Sequence, residues 1–554
     1  MKTIFTTAAF IFTAGIASAQ LNFKDASSVS GTQSEEVREV FSNQNGDLFY
    51  TGTFEGNLTI GSHSIQSMGG KDIFLMKKNA LGQISWIKTI GTIENEESPV
   101  LIEAQNGELV LGGAFRGSLD LDGTVYQSAG GTDGFVARYN TDGVLMTSWT
   151  LGGLGNDKVK ALARSTNSTE ILVAGEFSGL STFGPAGAGS NTQLMSNGGT
   201  DIFFVRYIQG RCAPVIEAFK VGSVGNDRLG SVAYDQSGNM VIAGGFNRPI
   251  DLNPFASSMY VQSEGNYDFF VSRFDGQGNP LFMRNFGGVG NDFATTLAVS
   301  DQNEIFVGGF FHQSLQMGTF SLNSNGESDA FLARLELNGN VVWANSYGGS
   351  EDDQISELEI QGYNRLWVSG ESASQFDFNP AQIGGEFASL GMSDIFLLGV
   401  DKMGVYQEMT RFGGIGQEAI RGIETLGNDL VLVGSFEETV NFDPSFRMAA
   451  FTSQGGTDGF EVRFSTQMAN GVVAQEGITQ WGIFPTLATD FVQINNQGGS
   501  AEMQMLDANG KVILSEKITS NAQKVIDLMN VPSGVYWVQL IQNGKMESRK
   551  MVKM

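Results

Sequence analysis

Fourteen acidic residues recur at fixed places in this chain, and they are its densest source of chemistry. Seven are aspartates that precede an aromatic residue by one or two places: Asp72, Asp133, Asp201, Asp268, Asp329, Asp394 and Asp458. Seven more follow a turn, Gly-rich in most copies: Glu35, Glu96, Asp157, Asp227, Asp292, Asp353 and Glu418. Carboxylates can ligate calcium, work in pairs on glycosidic bonds, or hold turns by accepting backbone N–H groups. The calcium candidates are Asp157, Asp227, Asp292 and Asp353, each preceded by Asn or Asp. The Asp-x-Asp-x-Asp-Gly spacing of a calcium loop is missing. Recurrence in every copy favours the turn-holding role, because a binding site needs only a few such residues. With so many carboxylates, no single pair stands out for glycoside hydrolysis.

Other reactive side chains are sparse. His63 and His312 lie in different copies, in or beside the segment between the second and third strands, without a neighbouring carboxylate or Cys pattern. Neither a G-x-S-x-G elbow nor an H-E-x-x-H helix occurs. Gly287-Gly288-Val289-Gly290-Asn291-Asp292 resembles a phosphate loop only superficially, since no Gly-Lys-Ser/Thr end follows it. The sequence therefore names no catalytic residue and calls for no cofactor, with calcium the one metal its oxygen donors would suit. Trp86 and Trp343 occupy matching positions, which suggests packing between copies rather than sugar platforms.

The elements that carry these residues follow from the spacing. The seven aspartates lie 61 to 68 positions apart, a period that signals repeated supersecondary units. In the fifth copy, Thr295 to Val299 is a short strand and Ser300 to Asn303 a hairpin turn. Glu304 to Phe311 is a second strand, followed by a longer polar loop. Ala330 to Leu335 is a third strand, with Phe331, Ala333 and Leu335 on one face by period-two alternation. Val341 to Ser346 is a fourth. Four short antiparallel strands per unit, repeated seven times, predict an all-β chain whose main body is a seven-bladed β-propeller of four-stranded blades, residues 20–465.

Strand parity puts both acidic sets at one end of the blades, together with loops such as Asp251-Leu252-Asn253-Pro254, Asp377-Phe378-Asn379-Pro380 and Asn441-Phe442-Asp443-Pro444. An acidic, loop-rich face is the expectation. Leu21 to Ser27 stands where a fourth strand belongs and is expected to complete the seventh blade, in competition with Gly471 to Ala474.

Composition narrows the class. The 554 residues include 73 Gly but only 10 Pro, a turn-rich rather than disordered chain. The net charge of −26 repels nucleic acid and anionic lipid. Lys2, the apolar run from Ile4 to Ile16 and Ala17-Ser18-Ala19 read as a signal peptide, residues 1–19, cleaved between Ala19 and Gln20. No later segment is apolar enough to span a membrane, so none is expected after its removal. The single cysteine, Cys212, excludes an internal disulfide framework.

Two resemblances extend this. Gly-Gly-x-Gly-Asn-Asp, the x-Gly-Asn hairpins, Val307-Gly308-Gly309-Phe310 and the Asp-x-Phe start of the third strand resemble the SBBP family of β-propeller repeats in exported bacterial proteins. That family has no shared catalytic chemistry. After a linker, residues 466–476, the stretch 477–554 resembles the type A C-terminal sorting domain of the type IX secretion system. Asp507-Ala508-Asn509-Gly510-Lys511-Val512, Pro532-Ser533-Gly534-Val535-Tyr536 and the Lys550 to Lys553 ending carry the match. At the opening, Thr486 and Leu487 replace the family's Asn-Pro. This resemblance implies a small C-terminal β-sandwich read by outer-membrane machinery, and a protein secreted or held at the cell surface. The expected function is a non-catalytic scaffold binding an extracellular glycan or protein. The alternative is a secreted hydrolase acting on polysaccharide or peptide with the acidic face.

Overall fold

The computed structural model describes residues 21–184, 192–208, 217–253, 260–379, 385–443, 450–466, 481–484, 487–488, 491–496, 500–507, 511–519, 522–529, 531–542 and 545–553. The signal-peptide and cleavage residues, Cys212, and the rival closing strand 471–474 lie outside these. The chain divides into two compact parts, up to Met468 and from Ala469.

The larger part is built from seven antiparallel units of four strands. Unit 1 comprises Glu35–Ser42, Leu48–Ile60, His63–Lys78 and Ile84–Ile90. Unit 2 comprises Glu96–Glu103, Leu109–Leu121, Thr124–Tyr139 and Leu145–Gly153. Unit 3 has Lys158–Arg164, Glu170–Phe183, Thr192–Ile208 and Glu217–Ser223, and unit 4 has Arg228–Tyr234, Met240–Phe246, Asp268–Phe274 and Pro280–Phe286. Unit 5 has Asp292–Val299, Ile305–Met317, Phe320–Leu335 and Val341–Tyr347, and unit 6 has Asp353–Gln361, Arg365–Ser372, Asp394–Asp401 and Tyr406–Gly414. Unit 7 supplies three strands in sequence, Glu418–Leu426, Asp429–Phe436 and Asp458–Ser465. Its fourth is Asn22–Gly31, which lies antiparallel along Asp458–Ser465 from Asn22 opposite Ser465 to Val29 opposite Gly459.

The first strands touch in cyclic order: unit 1 meets unit 2, each meets the next, and unit 7 returns to unit 1. They therefore surround an axis. The second strands are buried on both faces, as Leu109 to Phe115 illustrates. Each sheet is covered by its neighbours, which is why the strands read as continuous apolar runs rather than alternating ones. The cores are accordingly shared between units: Phe269 of unit 4 stacks on Phe331 of unit 5 at 4.9 Å. Trp343 of unit 5 donates Nε1–H to the Lys402 carbonyl of unit 6 at 3.1 Å, and Trp86 of unit 1 to that of Thr141 in unit 2 at 3.2 Å.

The Asn-Gly hairpins form by one device. Asn79 Oδ1 accepts the N–H groups of Leu81 and Gln83, both at 3.0 Å, while Gly82 takes a φ of 78° that a side chain would resist.

The segment between the second and third strands differs from expectation. In units 1, 2 and 5 it is no loop: both strands continue outward as a long hairpin, and in unit 3 the paired strands likewise run on to Phe183 and from Thr192. In unit 5 the ladder runs on to Met317 opposite Phe320. Alternation persists there, with Leu315 and Met317 buried between polar neighbours, so the extra rungs cap the core. Units 4, 6 and 7 carry a short separate ladder instead, with Leu252, Phe378 and Phe442 of the three Asx-Pro loops buried in the core. These segments reach the preceding unit as straps, through bridges such as Ser181 to Gly153, Gly287 to Gln316 and Gly413 to Asn441.

The C-terminal part holds two sheets. One pairs Trp481–Phe484, Phe491–Asn496 and Ala522–Asp527; the other orders Leu487–Ala488, Lys545–Lys553, Gly534–Gln542, Ala501–Leu506 and Val512–Ile518. Ile494 and Ile526 of the first share a buried cluster with Met503, Val538 and Met551 of the second. Among the described residues no helix is long and apolar enough to cross a membrane.

Candidate functional site

The structure brings the fourteen repeated carboxylates together in seven pairs, each joining an aspartate of one unit to the acidic residue that opens the next. The pairs are Asp72 with Glu96, Asp133 with Asp157, Asp201 with Asp227, Asp268 with Asp292, Asp329 with Asp353, Asp394 with Glu418, and Asp458 with Glu35. None is more than 4% exposed, so the expected display of carboxylates on a face is corrected: they lie beneath it.

Every member except Glu35 accepts the backbone N–H of the residue four places before it. Asp72 takes that of Met68 at 2.8 Å, Asp133 that of Ala129 at 2.8 Å, and Asp394 that of Leu390 at 2.6 Å. Asp157 takes Gly153 at 2.8 Å, Asp292 Gly288 at 2.7 Å and Asp353 Gly349 at 2.8 Å.

The Gly-rich motif follows from this packing. A Cβ on Gly91 would lie 2.5 Å from Asp72 Cγ and 2.4 Å from Glu96 Oε2; one on Gly348 would lie 2.5 Å from Asp329 Cγ and 2.7 Å from Asp353 Oδ2. The motif's Asn latches the units: Asn156 Oδ1 accepts the Thr132 N–H at 3.2 Å, and the Asp157 N–H reaches the Thr132 carbonyl at 2.6 Å.

Several oxygens in the pairs have no hydrogen-bond partner other than each other, among them Asp72 Oδ1, Glu96 Oε1, Asp394 Oδ1 and Glu418 Oε1. Two carboxyls buried side by side cannot both ionise. Burial, reinforced by Asp72, pushes Glu96 up to about 9, while burial holds Asp72 at about 6. Glu35 and Glu418 rise to about 8, each through burial, with the charge of the partner carboxylate adding to it. Asp227 and Asp292 rise to about 7, mainly through burial. Near neutral pH the three pairs that contain a glutamate therefore hold about one proton each, and burial draws the all-aspartate pairs in the same direction. Among the described residues no group of three or more His, Cys, Asp or Glu is placed to hold a metal ion.

The concave surface lies on the axis. A cavity of about 470 Å³ is lined by the first strands of all seven units. Its charged groups include Arg38, Lys160 and Arg421, each three places after the repeated acidic residue, with Glu39 and Glu357. Burial raises Glu39 to about 8, against the pull of Arg38, and also lifts Glu357 well above the usual carboxylate range, with help from Glu39 and Glu371. Beside the axis, at the end where the carboxyl pairs lie, a cavity of about 540 Å³ opens between units 5, 6 and 7, with Phe310, His312, Gln354, Glu371 and Arg421 on its walls. Arg421 joins the two spaces; its Nε donates to Glu36 at 2.6 Å.

Sequence reasoning singled out only Phe310, as part of a repeat motif, and His312 among these residues. The signal was present as a basic residue at one fixed repeat position in units 1, 3 and 7. Of the two histidines, His63 is exposed at the start of a third strand. His312 ends the regular part of a second strand, with Nδ1 2.9 Å from the Asn291 carbonyl.

Comparison with known proteins adds the following. Residues 482–554 match the model of a secretion system C-terminal sorting domain, and residues 104–145 match a β-propeller domain of unknown function. Regulatory protein FlaEY of Caulobacter vibrioides is 23% identical over 369 residues, covering 62% of this chain and 36% of that protein. The chain thus spans about a third of that relative's length. Among solved structures, PorZ, a surface component of the type IX secretion system of Porphyromonas gingivalis, is 11% identical, with 98% of this chain and 88% of that one covered and a TM-score of 0.27. A PL25 ulvan lyase is 8% identical over 78% of this chain and 97% of its own, with a TM-score of 0.36. The chain is a β-propeller protein carrying a type IX C-terminal sorting domain. That domain engages the secretion machinery and sends the protein to the cell surface or the extracellular space.

Proposed function

We propose that this protein is an exported, seven-bladed propeller of the SBBP type with a C-terminal β-sandwich, acting as a non-catalytic binding or adhesion scaffold outside the cell. The blade count is supported by the cyclic contacts of seven first strands, and the sandwich by the core its two sheets share. The carrying observation for function is the burial of the repeated carboxylates. They hold turns and join units, which leaves the axial cavity and its mouth as a concave surface with binding chemistry. Concave, mixed-polarity sites on a rigid scaffold are where ligands bind. The repeated aspartates act structurally in this reading. Asp157, Asp227, Asp292 and Asp353 stand as calcium ligands only if calcium raises the melting temperature of chelator-treated protein.

Purified chain applied to glycan and peptide arrays, alongside a polysaccharide degradation screen, tests the reading. Binding without turnover is expected. Turnover abolished by Glu357→Gln, or by another single carboxylate change, would replace the scaffold with a hydrolase. Removing residues 482–554 should abolish appearance at the surface while leaving the propeller folded.

A further inference from the structure

Unit 5 breaks the repeat at one place. In each unit the residue after the repeated acidic position pairs across the ladder with a second-strand residue. Six of these pairs hold no aromatic: Glu36 with Thr53, Glu97 with Ala114, Lys158 with Glu176, Arg228 with Gly245, Gln354 with Glu371, and Ala419 with Ser435. In unit 5 the pair is Phe293 with Phe310, ring centroids 6.1 Å apart. His312 extends the run, edge-on to Phe310 at 6.0 Å. The corresponding residues of the other long-hairpin units are Glu55, Arg116 and Ser178. All three rings are half-buried rather than absorbed into the core.

Behind His312 the backbone departs as well. Units 1, 2 and 3 place Gly56, Gly117 and Gly179 at the bulge with φ near 73°, while unit 5 places Gln313 there at 61°, a conformation that disfavours a side chain. Phe293 lines the axial cavity and Phe310 and His312 line the mouth. Gln354 and Arg421 line both, so the two spaces share a wall. Asp352, Ser393 and Gln417 line the same mouth.

We infer that this mouth is a carbohydrate subsite for a neutral oligosaccharide, its rings stacking on the apolar face of a sugar. The polar groups of the same mouth answer hydroxyls, which both donate and accept. Aromatic faces supply area without fixing a charge. Asp352 and the chain's net charge of −26 disfavour uronate or sulfate sugars. The cavity of about 540 Å³ has the size of a small-ligand pocket. This assignment rests on the binding reading above and names its ligand class.

The test uses the full chain and titration calorimetry with cellotriose, triacetylchitotriose and maltotriose, with trigalacturonate as the anionic counterpart. At least one neutral trisaccharide should bind, and trigalacturonate should not. Replacing the aromatic run with residues that other units carry, Phe293→Ala, Phe310→Ser and His312→Ser together, should weaken binding by about tenfold or more, an order of magnitude in Kd. Phe293 covers Gly245, where a Cβ would lie 2.5 Å from its ring, so that variant could lose its fold. A second measurement therefore decides independently. His63→Asn leaves His312 as the one imidazole, and its ring resonances should move on adding the trisaccharide. Undiminished binding in a folded swap variant overturns the site and leaves the scaffold standing. Peptides that move His312 while no sugar does overturn the carbohydrate class alone. Sugar turnover at this mouth overturns the scaffold and leaves the subsite.

Discussion

The seven carboxyl pairs make stability depend on pH in the direction opposite to an ion-paired protein. Raising the pH from 5 to 9 is the perturbation. Both members of a pair have folded pKa values above their ordinary ones: Glu96 near 9 against 4.5, and Asp72 near 6 against 3.8. The folded state thus binds more protons than the unfolded one. The stabilisation is complete below about pH 4 and is lost as pH rises through 6 to 9. At about 1.36 kcal/mol per pKa unit, the Glu96 shift bounds the loss at roughly 6 kcal/mol. Local opening and water entry reduce that to about 2 kcal/mol per pair. Even so, the three pairs that contain a glutamate, about 6 kcal/mol together, reach the roughly 5–15 kcal/mol by which domains are stable, so the ring should weaken markedly as they ionise. Melting followed by circular dichroism should show Tm falling by on the order of 10 °C between pH 5 and 9. Glu96→Gln supplies a neutral donor to Asp72 at every pH. It should be near neutral at pH 5 and about 2 kcal/mol more stable than the parent at pH 9. A Tm that rises with pH, or a Glu96→Gln penalty equal at both values, would refute proton sharing.

Three further outcomes follow from the same geometry. Deleting residues 21–31 exposes the Asp458–Ser465 edge, and the protein should melt well below the parent and aggregate; an unchanged melt would remove the closing role of that strand. Gly287→Ala would put a Cβ 2.3 Å from Asp268 Cγ and should cost about 2 kcal/mol or more in urea unfolding, whereas Gly276→Ala meets nothing within 4 Å and should cost under about 1 kcal/mol. Lys78→Met leaves Glu461 without the cation that, after burial, most affects its carboxyl and holds it below the usual range. Because Arg463 still faces Glu461 at 2.7 Å, the change should cost about 1.5–3 kcal/mol at pH 7, and the penalty should shrink as pH falls and Glu461 protonates.

Much of the architecture could be read from the chain because the repeat is enforced locally. Gly-Gly-x-Gly-Asn-Asp stays recognisable since Gly287 and Gly348 touch carboxyls that tolerate no Cβ, and Asn79-type hairpins stay recognisable since one side chain fixes the turn. Strand parity brought the two acidic sets together correctly but left their depth undetermined. Whether Asp268 faces water or a glycine from the next turn depends on how the units stack, and stacking is not written in local pattern. The outer hairpins escaped notice because polar residues flank Leu315 and Met317, and two apolar positions are too few to stand out from a loop. Arg421 and Phe293 escaped because a position facing an axis has meaning only once seven units surround it.

The strand Asn22–Gly31 has a consequence for the order of events in export. Its partner lies more than 400 residues later, in the last repeat before the sorting domain. Pairing at that separation is the slowest kind of contact to form. A chain emerging from its amino end can lay down one unit after another, yet the circle stays unlatched until nearly the whole repeat region is available. The protein thus carries its own delay: units can form in turn, but final closure waits for the last repeat.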